Sequence, residues 1–127
     1  MAMDDTGEDL PRSGPAEERF RDGKLSAAGD YVDGEKCGEW KYYFRNGRLK
    51  AIGRYTAGRL EGRWTWYRES GNLLQTGEFT GGEQSGVWKR YHPGGELYDV
   101  GEYVAGKQSG EWISYDADGN PAGAKDR

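Results

Sequence analysis

One histidine, His92, and one cysteine, Cys37, limit what this 127-residue chain can do as a catalyst. A lone histidine excludes paired-histidine metal sites, and a lone cysteine excludes an internal disulfide or a cysteine-based zinc site. His92 stands before Pro93 in a turn, where related positions hold Phe44, Arg68 and Asp116, a variety that suits a solvent-facing side chain better than a catalytic base. Cys37 occupies a position that elsewhere reads Glu61, Ser85 and Ser109, so it reads as an incidental polar-loop thiol. The acids Glu35, Glu61, Glu83 and Asp116 fall in loops or turns, where solvated charge is the ordinary explanation. Thr80-Gly81-Gly82 lacks the spacing, and the following helix, of a phosphate-binding loop. The expectation is a protein that is not an enzyme and takes no metal or cofactor.

The residues that do recur point to binding. The pattern G-x-[YF]-x-x-G-x-x-x-G-x-W-x-x-Y-x-x-x-G occurs four times at a spacing of 24 residues. Its first glycines are Gly29, Gly53, Gly77 and Gly101, and its tryptophans are Trp40, Trp64, Trp88 and Trp112. Gly23 and Leu25 belong to a half copy before the first unit. A fixed period of this length denotes an array of one small supersecondary unit.

Composition says what kind of unit. Only 34% of residues are apolar, yet there are five tryptophans, nine tyrosines and three phenylalanines. Flat rings must therefore carry the burial, which suits a thin sheet better than a thick two-layer core. Glycine recurs too often for helices, and no apolar stripe has a 3.6-residue period. Runs such as 48–56 and 62–69 have strand composition. Asn46-Gly47 and Asp118-Gly119 are signals for two-residue type I′ hairpins. That turn would set Phe44 opposite Leu49, Tyr42 opposite Ala51 and Trp40 opposite Gly53, with Gly53 then facing Trp64 and Tyr55 facing Gly62 across the next pair. The fold expected is all-β: a single elongated, twisted antiparallel sheet, a meander of about eight or nine strands. Large rings would lie over strand glycines, so Gly29, Gly53, Gly77, Gly101 and the four repeated tryptophans read as structural.

The sheet is expected over residues 20–120, between an acidic disordered tail at 1–19 and a frayed tail at 121–127. Residues 16–22 are open to a helical turn. No stretch approaches the ~18 apolar residues of a membrane span, and the acidic start is unlike a signal peptide; a cytoplasmic location is the expectation.

The register separates two faces. One collects Trp40, Tyr42, Phe44, Leu49, Ala51, Tyr55, Trp64, Trp66, Leu73, Phe79, Trp88, Leu97, Tyr103 and Trp112; the other collects Lys41, Tyr43, Arg45, Arg48, Lys50, Ile52, Arg54, Arg63 and Tyr67. Residues 41–68 hold eight bases against one acid, and residues 77–120 hold eight acids against three bases. The candidate partner-binding set is Lys41, Tyr43, Arg45, Arg48, Lys50, Arg54, Arg63, Trp66 and Tyr67. Trp66 stands out because other copies place Tyr42, Arg90 and Ser114 there. Such a surface suits an acidic protein or an anionic lipid. Nucleic acid is disfavoured by a net charge of −4. Weak head-to-tail self-association through the open edges is a further expectation.

The segments GEWKYYFRNGRLKAIGRY, GRWTWYRESGNLLQTGEF and GVWKRYHPGGELYDVGEY resemble the variant MORN repeats of bacterial YwqK-family antitoxins. The resemblance covers about residues 20–120. It implies a MORN-like repeat sheet and a non-enzymatic role, binding and neutralising a toxin protein. Related eukaryotic MORN repeats imply the alternatives of a phospholipid-associated or scaffolding role. The family supplies no catalytic residues to carry over.

Overall fold

Residues 12–126 are described by a computed structural model. They form one antiparallel sheet of ten strands whose spatial order is the chain order. The strands are β1 (Gly14–Arg19), β2 (Leu25–Val32), β3 (Glu35–Tyr43), β4 (Leu49–Thr56), β5 (Arg59–Tyr67), β6 (Leu73–Thr80), β7 (Glu83–Tyr91), β8 (Leu97–Val104), β9 (Lys107–Tyr115) and β10 (Pro121–Asp126). The expected meander is present, with a strand added at each end. Residues 14–19 pair with β2, so they join neither the expected tail nor a helical turn, and Pro121–Asp126 pair with β9. An open strand edge offers unpaired backbone groups that a neighbouring segment can satisfy even when its composition is polar. Residues 1–11 of the expected tail, and Arg127, lie outside the described residues.

Two kinds of turn alternate. The two-residue type I′ turns are Asp33-Gly34, Ala57-Gly58, Gly81-Gly82 and Ala105-Gly106, where both residues of each pair have positive φ. This corrects the expectation at Asn46-Gly47 and Asp118-Gly119. There only the glycine has positive φ, and Phe44 N–H donates to the Arg48 carbonyl while Gly47 N–H donates to the Phe44 carbonyl. The loop thus holds three residues, a tight turn followed by a left-handed glycine. The extra residue shifts the register: Tyr43, not Phe44, lies opposite Leu49, whereas Tyr42–Ala51 and Trp40–Gly53 pair as expected. Across the other hairpin Tyr55 meets Leu60 instead of Gly62.

That second shift comes from a three-against-one bulge in every unit. Ile52 pairs with Thr65 and Arg54 with Glu61, so Gly53 alone faces Gly62, Arg63 and Trp64. The same step recurs at Gly29, Gly77 and Gly101. Two surplus residues bend the strand and re-aim the side chain that follows. Here the bulge turns Trp64 back onto Gly53, where a Cβ would lie 2.0 Å from the ring. Trp40 therefore lies on Gly29 of the preceding strand, although its backbone pairs with Gly53. The four repeated tryptophans are buried in this way, Trp40 completely. They form the core of a molecule that has no second layer among the described residues.

Candidate functional site

The core rings continue into an aromatic face. Tyr31, Trp40, Tyr55, Trp64, Phe79, Trp88, Tyr103 and Trp112 form an unbroken ladder with successive centroids 5.2–6.4 Å apart, all of them edge-on. Edge-to-face contact lets each ring bury apolar area while satisfying its quadrupole. Three indoles also donate Nε1–H to carbonyls, Trp40 to Asp30, Trp64 to Arg54 and Trp88 to Glu78. Trp112 Nε1 is buried with no acceptor among the described residues.

Beside the ladder runs a transverse row of directly paired residues: Glu18, Ala27, Tyr42, Ala51, Trp66, Gln75, Arg90, Asp99 and Ser114. In the first half, large rings alternate with alanines. Trp66 stacks between Trp64 at 5.8 Å and Trp88 at 5.6 Å. It is only half-buried, as are Tyr42 and Tyr55. Tyr42, Ala51, Tyr55, Leu60, Trp64 and Trp66 line a shallow groove of about 350 Å³, with Lys50 at its margin.

The row then turns polar. Arg90 donates from Nε to Asp99 Oδ1 at 3.0 Å and from Nη2 to Oδ2 at 2.5 Å. Asp99 is 5% exposed, whereas the arginine side chain is half-exposed. The hydrogen bond to Asp99 holds the guanidinium pKa above its ordinary value against the opposing effect of burial. Gln75, Gln84, Arg90, Tyr103 and Gln108 border a recess of about 110 Å³ over Trp88 and Trp112.

At the opposite end, Lys36 Nζ lies 4.8 Å from the Trp40 ring centroid and donates to the Tyr42 hydroxyl at 2.9 Å. The Tyr42 and Tyr55 hydroxyls share a 2.8 Å hydrogen bond. Burial, above all, raises both phenol pKa values, and for Tyr55 the bond to Tyr42 adds to the rise. Sequence reasoning missed Lys36 and the Arg90–Asp99 pair. The available sign was position: Lys36 aligns with Leu60, Gln84 and Gln108, and Asp99 with Ala27, Ala51 and Gln75.

The structure does not gather the nine candidate binding residues into one surface. Trp66 lies on the aromatic face, whereas Lys41, Arg54 and Arg63 alternate to the other side. There Arg54 is flanked by Glu39 and Glu61 on its two neighbouring strands. Arg63 approaches Glu78 at 3.6 Å. Arg45, Arg48 and Lys50 belong to the three-residue-loop edge. Arg48 donates to the carbonyls of Glu69 and Ser70, Arg45 lies over Phe20 and Lys50 over Phe44. Tyr43 and Tyr67 pair with Leu49 and Leu73 and are half-buried. A linear count of bases concealed the acids that strand pairing brings beside them.

A family model described as a MORN repeat variant matches residues 36–57, 60–80 and 84–105, just over half of the chain. Each matched segment spans one strand, a three-residue loop and the next strand. No curated protein matches the sequence. Among solved structures, a chain of the GtfA/B complex bound to UDP and GlcNAc is similar at 15% identity and a TM-score of 0.34. The alignment covers 91% of this chain and 24% of that one.

Proposed function

We propose that this chain, which belongs to the MORN repeat variant family, is a non-enzymatic module that binds another protein through its aromatic face, in the manner of an antitoxin holding a toxin. Repeats of this family are commonly protein- or membrane-binding modules. The observation that carries the choice of surface is the half-buried cluster of Tyr42, Tyr55 and Trp66, uncovered among the described residues. Large aromatic residues on an uncovered surface are the usual anchors of protein interfaces. Glu39 and Glu61 stand opposite Arg54 on its neighbouring strands and Glu78 lies beside Arg63; these acids interrupt the continuous basic field that an anionic membrane would require, which favours a protein.

The test begins with the chain as bait in the cells that produce it, followed by binding measurements with each purified candidate. The genuine partner should lose at least tenfold in affinity when Tyr42→Ala and Trp66→Ala are combined, about the loss expected of two interface anchors. Expressed alone that partner should arrest growth, and co-expression of this chain should restore it. A partner that binds the double variant unchanged sinks the choice of face. One that leaves growth unaffected sinks the antitoxin role.

A further inference from the structure

The repeat supplies its own control for Arg90 and Asp99. In the first unit the equivalent positions are Tyr42 and Ala51, which pair in the same register and hold the same sheet. A buried ion pair seldom stabilises more than apolar residues of similar volume. The sheet has no need of this one, yet it is placed on the face where the binding site is proposed. Asp99 accepts from Nε–H and from one of the two Nη2 N–H groups of Arg90, which fixes the orientation of the guanidinium and leaves its Nη1–Nη2 edge as a donor fork. The Nη1 group has no hydrogen bond among the described residues, and the side chain is half-exposed. A planar donor edge is thus held ready above a recess whose border also carries the amides of Gln75 and Gln84.

We infer that Arg90, anchored by Asp99, is a carboxylate clamp for an extended segment of the partner protein. The inference rests on the aromatic face being the binding surface. A guanidinium fork matches a carboxylate in two parallel hydrogen bonds, geometry that a lysine could not supply. The adjoining groove at Tyr42, Leu60 and Trp66 takes an apolar side chain of the same segment. Ala51, in the middle of that groove, and Arg90 stand three strands apart in the transverse row, with Trp66 and Gln75 between them. At roughly 4.8 Å per strand that is about 14 Å, or about four residues of extended chain. The partner segment therefore carries an aromatic or aliphatic residue and an acidic residue about four positions apart, and runs across the strands.

Short glycine–serine peptides carrying one tryptophan and one glutamate at varied separations test this, alongside a matched series with glutamine in place of glutamate. Binding to the full chain is read by fluorescence anisotropy of a labelled peptide end. The second protein is the combined variant Arg90→Tyr with Asp99→Ala, which restores the first unit's pairing and so keeps the sheet. The expected result is a preference for glutamate over glutamine of about tenfold, the size of one charge-assisted contact. It should be strongest at a separation of about four and absent in the variant. Equal binding of both series to both proteins overturns the clamp and leaves the aromatic-face reading standing. Binding of neither series overturns both. Sedimentation with phosphatidylserine vesicles that is lost in the variant overturns the inference too, by giving the guanidinium to a lipid headgroup.

Discussion

The indole of Trp64 lies flat on the backbone of Gly53, so closely that a methyl group on that glycine would stand 2.0 Å from the ring. Gly53→Ala must displace a buried ring from its place in the ladder, and overpacking of this kind costs about 1–3 kcal/mol. Trp64→Ala leaves a cavity instead and costs about 3–5 kcal/mol. The two together should cost clearly less than their sum, because the added methyl enters the space the indole vacates. Denaturant unfolding of the three variants measures this. Strict additivity would show that the contact is not the reason for glycine.

Ala57 and Ala105 hold left-handed backbone at φ of 50° and 51° in their two-residue turns. Gly81 takes the equivalent place in another unit at φ 59°. A Cβ in this region is strained by about 1–2 kcal/mol, partly offset by the greater unfolded-state freedom of glycine. Ala57→Gly should therefore stabilise the chain by about 0.5–1 kcal/mol, seen as a higher denaturation midpoint with unchanged slope.

How much of this was legible in the sequence depends on which residues carried the information. Repeated tryptophans and glycines revealed the sheet, its meander order and the Trp40–Gly53 pairing, because structural positions repeat in every copy. Asn46-Gly47 misled, since the same dipeptide serves a three-residue loop as readily as a type I′ turn. The three-against-one bulge was hidden because its surplus residues, such as Gly62 and Arg63, look like ordinary strand residues in one dimension. The acids beside the basic residues were hidden for a related reason: Arg54 and Glu39 are far apart in sequence but adjacent across the β3–β4 pair.

Arg90→Ala should unmask the acid it covers. Asp99 would remain nearly buried without its cation, and losing one partner of such a pair costs about 2–3 kcal/mol once the exposure of the arginine is discounted. Arg90→Tyr with Asp99→Ala should return stability to within about 1 kcal/mol of the parent. If Arg90→Ala is harmless in thermal and denaturant unfolding, the carboxylate is not held as described.

Alkaline pH should weaken the fold through Tyr42 and Tyr55. Their folded pKa values lie above the ordinary 10.0, chiefly because burial disfavours the phenolate. The unfolded chain therefore releases these protons first. The stability they contribute is whole below pH 10 and declines as pH rises beyond it toward the folded values. Tyr42→Phe combined with Tyr55→Phe should flatten the stability profile above that pH. A decline equally steep in that variant would assign it to other groups.

Arg48 binds neighbouring loops together through the Glu69 and Ser70 carbonyls. Arg48→Ala should speed amide hydrogen exchange in residues 68–72 by an amount equivalent to about 1 kcal/mol, with little change in global unfolding. Uniform exchange throughout the sheet would show that the loop has no local stability of its own.

Because each strand pairs only with the strands before and after it in the chain, the protein is a ruler whose divisions are copies. Duplicating or deleting one 24-residue unit adds or removes two strands, about 10 Å of platform, and leaves every remaining junction as it was. Gene-level slippage could thus refit the molecule to a longer or shorter target in a single event. Point changes along the row from Glu18 to Ser114 would then write the local preference into each division.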